Sequence, residues 1–348
     1  MKTMKDIRRK LAYVCISLVL LCICWIACLG QTNVALAAQG DSNGAATQMP
    51  AYYDAEPFTV NRSEVPGEDA ILEHNKSVNE IYASNDQDEE QSKHCVPPLV
   101  FQAAGPTIES IQGTVDAFRA ALGNPNNGNA AGPLAKGRRE INWDGGGNNQ
   151  TTTVSGTPFA GFLVIRGALF TTPDGTGFVQ APPAADPALF PPGGLAGLFD
   201  NPTYRIIFTA FSPLRLFSAI GSNITEVEFF VPGGGNTRAT TTGFGAVFTD
   251  VDQPDGSKPD EEHECHCPST LEYFDADCNL LFRSVVPASP GNGSLSFFGI
   301  VFDDARIARV CITSGNVAPG PDDDGKRDVV MMDDFIYGEP QASKPCVK

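Results

Sequence analysis

This chain reads as an all-β protein: a jelly-roll or related β-sandwich domain led by one short N-terminal helix. Six strand-like runs fill residues 224–337: ITEVEFFV, GFGAVFTDVD, LEYFDADCNLLF, SLSFFGIVFDD, RIARVCIT and DVVMMDDFIYG. Gly, Pro, Asn and Asp punctuate the spaces between them, which is turn chemistry. Strands recur roughly every 10–20 residues and no repeat of 20–50 residues is visible, so a sandwich fits and a solenoid or propeller does not.

Taken in order, residues 1–38 have the three parts of a secretory signal. Lys2, Lys5, Arg8, Arg9 and Lys10 form a positive start, residues 11–30 an apolar run, and Ala35-Leu36-Ala37 a small-residue cleavage site. The apolar run is long enough to span a bilayer, so an uncleaved anchor is the rival reading. Trp25-Ile26-Ala27-Cys28 hints at a lipoprotein box, but Trp stands where Leu is expected. Export implies a secreted or cell-surface location.

Residues 39–94 read as an acidic flexible segment. Over 39–95 there are twelve Asp/Glu against three Lys/Arg, a net of −9 within a chain total of −17. Segments so poor in large apolar residues cannot offset the entropy of ordering. A short helix within 68–82 is marginal. The acidic balance argues against nucleic acid and anionic membrane as partners, since phosphate binding needs concentrated basic surface.

The folded part, 95–348, is of ordinary size for one all-β domain. Its helix starts at Thr107 as cap. Ile108, Ile111, Val115, Phe118 and Leu122 recur at spacings of three and four, and Gly123 stops it. Such a lone stripe is expected to bury against an edge or open end of the sandwich, with a loop following over 124–133. Period-two alternation gives the strands. Ile141 and Trp143 share one face against Glu140, Asn142 and Asp144. Thr225, Val227, Phe229 and Val231 oppose Ile224, Glu226 and Glu228. Ala308, Val310 and Ile312 point inward, Arg309 and Cys311 outward. LSFFGIVF (295–302) is apolar on both faces, the mark of a central strand covered on each side.

Ten cysteines are present, four of them within the signal. The six that remain, Cys95, Cys265, Cys267, Cys278, Cys311 and Cys346, are disulfide candidates in an exported chain, with fifteen possible pairings. HECHC (263–267) also offers His263, Cys265, His266 and Cys267 to a metal. Structural zinc sites, however, use pairs spaced by two to four residues in two separate knuckles. Disulfides to Cys278 and Cys311, and a Cys95–Cys346 clip of the domain ends, are the alternatives.

An acidic pair inside an apolar strand, Asp333-Asp334 in VVMMDDFIY, is the strongest site candidate. One of the two is expected to point toward the interior or a sheet edge. A buried carboxylate costs several kcal/mol unless paired, hydrogen-bonded or metal-bound. Structural calcium would resolve the cost through six to eight oxygen ligands, with Glu140, Asn142 or Asp144 completing the set if the first and last strands pair. The competing account has the pair capping backbone amides or meeting Arg138, Arg139 or Arg306. Asp250, Asp252 and Asp255 suggest an oxygen-ligand loop but lack the EF-hand glycine and glutamate offsets, so a solvated turn is the simpler account.

Catalytic signatures are missing. There is no G-x-S-x-G, H-E-x-x-H or phosphate loop. All four histidines (His74, His94, His263 and His266) fall in tail or loop segments, against a His-dependent triad. Glu226, Glu228, Asp250 and Glu272 could serve glycoside hydrolysis, but nothing in the sequence separates them from strand-surface charges. Trp143 and a few Tyr are the aromatics suited to stacking a sugar, and Trp143 fits better as core.

INWDGG (141–146), FLVIRGALFTTPDGTGFVQ (162–180), GFGAVFTDVDQPDGS (243–257), LEYFDADCNLLF (271–282), SLSFFGIVFDDARIARV (294–310) and VMMDDFIYGEPQ (330–341) carry a resemblance. Together they resemble uncharacterised exported bacterial jelly-roll proteins, similar to the β-sandwich domains of PEP-CTERM-type extracellular proteins; the sorting tail itself is absent here. The resemblance covers about 105–341. It implies fold and export, and is nearly silent on activity. Two positions depart from the pattern: Cys278 sits where a turn glycine is expected, and Cys311 replaces an outward polar residue, which suggests added cross-links. The fold analogy to carbohydrate-binding sandwiches implies a non-catalytic extracellular binding or surface-structural module, with extracellular glycan or an envelope component as partner. A secreted glycan-acting hydrolase is the alternative.

Overall fold

A computed structural model of the chain describes residues 96–145, 147–173, 176–252, 268–321 and 327–343. The signal, the acidic segment, HECHC, Cys95, Cys346, Asp255 and all four histidines therefore lie outside the described residues.

The elements follow as β1 (Leu99–Gly105), α1 (Ile108–Leu122), β2 (Arg138–Ile141), β3 (Thr152–Ser155), α2 (Leu163–Arg166), β4 (Ala168–Thr171), β5 (Gly177–Ala181), α3 (Gly194–Leu198), α4 (Tyr204–Ile207), β6 (Leu216–Ala219), β7 (Ile224–Phe229), β8 (Ala239–Thr240), β9 (Gly243–Thr249), β10 (Thr270–Phe274), β11 (Leu280–Val285), β12 (Leu295–Val301), β13 (Arg309–Thr313), β14 (Met331–Gly338) and β15 (Gln341–Ala342). The larger sheet runs β1-β12-β9-β14-β6-β5-β3, with β2 sharing the free edge of β14 with β6. A second sheet runs β11-β10-β13-β7-β4, and β15 pairs with β8. All these pairings are antiparallel. The all-β sandwich expected from the alternation is the fold of the described residues.

The core between the sheets takes Phe244, Phe248, Phe298, Met332 and Phe335 from one side and Val227, Phe229, Leu271, Val310 and Ile312 from the other. Trp143 is its anchor, 1% exposed and stacked on Phe217 with ring centroids 3.7 Å apart. Its Nε1 donates to the Asp333 carbonyl oxygen at 2.9 Å, so the indole buries its one polar atom with a partner. Ile141 and Trp143 do share the inner face, Cys311 lies on the outer one, and β12 is buried along its whole length.

The larger sheet also has a covered outer face. α1 lies over it, burying Ile111, Val115, Phe118 and Leu122 against Phe101, Val247, Leu295 and Phe297, each worth about 1.5–3 kcal/mol of burial. The helix therefore covers a face and not an edge or open end. The seat for it is cut by two glycines opposite one another in register, Gly245 and Gly299. A Cβ on either would fall 2.9 Å from the Phe118 ring, so the ring fills a hollow that only glycine leaves. Helix start and stop fall where expected, with Gly123 at φ 94. Thr107, however, makes no side-chain cap bond to the helix; its hydroxyl lies 3.2 Å from that of Ser110.

Beyond the expectation, β1 precedes the helix, and three short helices interrupt the strands. α3 and α4 close the other end of the outer face over Val179, Leu216 and Met331. Among the described residues no helix is long and apolar enough to cross a membrane.

Candidate functional site

Strand β14 carries the acidic pair, and its pairing explains how the pair is accommodated. Met332 lies opposite Phe248 and Phe335 opposite Ala246, so Asp333 and Asp334 together oppose only Val247. That is a β-bulge, which re-aims the chain by one residue. Met332 and Phe335 both face the inter-sheet core, while the two carboxyl groups meet partners on the outer side, from α1 and the 211–215 segment. The expectation that one Asp turns inward assumed regular alternation, and the bulge removes it. Both are nevertheless buried, 0% and 3% exposed.

Asp333 is held by three donors. Its Oδ2 accepts the backbone N–H of Phe211 at 2.6 Å and of Ser212 at 3.2 Å; its Oδ1 accepts the Ser212 hydroxyl at 3.1 Å. Asp334 Oδ2 accepts from Arg119 Nη2 at 2.9 Å, while its buried Oδ1 has no hydrogen-bond partner. Arg119 reaches Glu140 Oε2 at 3.1 Å and Asp116 at 3.2 Å. Glu140 Oε1 in turn takes Arg138 at 2.6 Å. Burial, reinforced by the Asp334 charge, pushes the Asp333 carboxyl well above the usual carboxylate range against the pull of its donors. Burial likewise raises Asp334, opposed by Ser212 and Arg119 and aided by Glu140.

Of the five residues proposed for calcium, Asp334 and Glu140 share one partner, Arg119, and Asp333 adjoins Asp334. The cation between Asp334 and Glu140 is the Arg119 guanidinium. Asn142 and Asp144 turn away, Nδ2 to Oδ2 at 3.2 Å, and Asp144 Oδ1 caps the N–H groups of Leu214 and Arg215 at 2.6 and 3.0 Å. Among the described residues no three His, Cys, Asp or Glu side chains gather as a metal-binding group. Three of Asp333's acceptor positions are spent on N–H and O–H donors, so these residues do not fit calcium. The backbone-capping account holds for Asp333. The arginine account holds for Asp334, with Arg119 in place of Arg138, Arg139 or Arg306. Position 119 lies four residues after Val115 and beside Phe118, at the border of the buried stripe, and that placement was the available signal.

A second buried pair stands nearby. Arg139 and Glu339 are both fully inside, joined at 2.7 Å through each of two nitrogens. Arg139 Nη1 also donates to the carbonyls of Gly128, Ala130 and Ile165, and Glu339 accepts from Asn127 Nδ2 and Leu134 N–H. A bidentate pair with its remaining valences filled is the geometry that tolerates burial.

The other carboxylate candidates are scattered. Glu226, Glu228 and Glu272 lie on the outer face of the five-stranded sheet, joined to Arg309 at 2.6 Å, Arg238 at 2.8 Å and Arg283 at 3.4 Å. Cys311 stands between Glu226 and Glu272 in register, and Arg309 stacks 4.2 Å over the Phe274 ring. Asp250, buried at φ 69, and Asp252, whose Oδ1 accepts the Gly291 N–H at 3.0 Å, sit at the end of β9. Cys278 has the positive φ, 65°, that its turn position implied. No disulfide joins described residues, and the other four candidates lie outside them. A groove of about 440 Å³ runs between Val96–Leu99, Leu122 and Val301–Asp303.

Among the described residues, fold and site together define a class: an antiparallel β-sandwich with one outer sheet face covered by helices, the other lined by partly exposed Glu and Arg side chains, and a buried acidic bulge under its helix. No family model, curated protein or solved structure matches this chain.

Proposed function

We propose that the chain is a non-catalytic extracellular binding or surface-structural module that presents the outer face of its five-stranded sheet, with carbohydrate as the ligand class. The observation that supports this is the asymmetry of the two sheets. α1, α3 and α4 take up the outer face of the larger sheet, while the smaller one keeps a polar array whose Glu226, Glu228, Glu272 and Arg309 side chains are 20–30% exposed. Paired carboxylate and guanidinium groups offer acceptors and donors to sugar hydroxyls. The resemblance to PEP-CTERM-type sandwich domains and the secretory signal support an extracellular setting.

A hydrolase would need two accessible carboxyl groups, one of them held protonated. Among the described residues, burial raises the pKa of Asp333 and Asp334, and both are closed beneath α1 and 211–212. A glycan array followed by incubation with each hit tests the proposal. Saturable binding with no released sugar is expected. Turnover that disappears on changing a single Asp or Glu would replace binding with hydrolysis.

A further inference from the structure

The bulge carboxyls pose a charge problem that calcium does not solve. Asp333 accepts two backbone N–H bonds at Oδ2 and the Ser212 hydroxyl at Oδ1, a donor set that favours its charged form. Asp334 differs: Oδ2 meets Arg119, while Oδ1 is buried and unpartnered. With Arg119 on Oδ2 only, a charged Oδ1 buried without a donor costs more than a neutral hydroxyl in the same place. We propose that Asp333 and Asp334 share one proton, resident on Asp334 Oδ1, and that this proton latches α1 and the 211–215 segment to the outer face of the larger sheet. This goes beyond the binding role and does not depend on it.

Each carboxyl of the pair fastens a different piece of chain, Asp334 the helix through Arg119 and Asp333 the loop through the Phe211 and Ser212 amides. The charged groups facing them are Arg119 and Asp116 from α1, Glu140 and Arg138 from β2, and Asp144 after it. Arg215, from the loop, points its guanidinium at the carbonyls of Trp143 and Gly145. Arg119 is thus shared among three acids and cannot neutralise the pair alone. Burial lifts the folded pair above the ordinary value, so the folded state holds a proton that the unfolded chain has released. The stabilisation is full below about pH 4, the unfolded value, and drains as pH rises toward the folded value. The latch therefore loosens with rising pH.

The test compares the full chain with Asp334→Asn and Asp333→Asn by urea unfolding from acid to mildly alkaline pH. An amide nitrogen at 334 imitates the protonated Oδ1 and leaves an oxygen for Arg119. Asp334→Asn should therefore fold and lose the slope: relative to it, the wild type's folding constant should fall by up to about tenfold per pH unit. At 333 the amide removes the charge that the three donors stabilise, and Asp333→Asn should be less stable than Asp334→Asn. Exchange of the Phe211 and Ser212 amides, corrected for intrinsic rate, should rise with pH in the wild type more than in Asp334→Asn. Parallel stability curves for wild type and Asp334→Asn, or loss of stability by Asp334→Asn at neutral pH, would overturn the proposal. Should neither variant fold, carboxyl ¹³C titration of the wild type decides. One proton retained at neutral pH supports the latch, and both carbons titrating in the ordinary carboxylate range refutes it.

Discussion

At the scale of single residues, charges buried in this fold are tolerated because each has a specific partner set. The Arg139–Glu339 pair is the clearest case, with the bidentate contact flanked by bonds to Asn127, Gly128, Ala130, Leu134 and Ile165. Removing one side leaves an uncompensated buried charge, which costs about 3–5 kcal/mol. Glu339→Ala should lower the urea-unfolding free energy by that amount; a loss under about 1 kcal/mol would place the pair among surface contacts. Strict alternation already put Arg139 on the inward parity of Ile141 and Trp143, and Glu339 on that of Phe335 and Tyr337. The pair is thus legible in the sequence as a buried charge match. The acidic bulge was legible only as a conflict. Asp333-Asp334 visibly interrupts a core pattern, but a bulge inserts a residue without any local composition cue, so its direction could not be read.

At the scale of elements, the helix shows how far periodicity reaches. The spacing of Ile111, Val115, Phe118 and Leu122 located α1 and its buried face, because a 3.6-residue period is local information. The seat beneath it is not local. Gly245 and Gly299 are 54 residues apart in sequence and matter only because β9 and β12 align them. Gly299→Ala should drive a methyl into Phe118 and cost about 1–3 kcal/mol, the usual range for overpacking. Combined with Phe118→Leu it should cost less than the sum of the two changes. Additive free energies would show that ring and glycine do not meet. β1 escaped the sequence reading because LVFQAAG is half small or polar, and its strand state depends on β12 beside it. The short helices α3 and α4 fall in a Gly/Pro-rich stretch where neither period is sustained.

At the scale of the whole molecule, the two sheets divide the labour. The larger is a filled wall, with core on one face and helices on the other. The smaller closes the core with one face and shows Glu and Arg on the other. Sheet number and alternation were readable from the turns and periods, but which outer face stays open depends on where α1 docks, and that is a long-range fact. With Arg119 between Asp334 and Glu140, the fold has its own cation at the acidic bulge. Melting the full chain with and without a chelator should give the same Tm, and a drop in chelator would restore a stabilising metal. The central claim, that the open face of the five-stranded sheet is the binding surface, is tested most directly by mapping amide shift perturbations with a glycan-array hit. Changes should concentrate on Glu226–Glu228, Glu272–Phe274 and Arg309–Thr313. Perturbations confined to the groove at Val96–Leu99 and Val301–Asp303, or to the Asp333–Asp334 bulge, would contradict it.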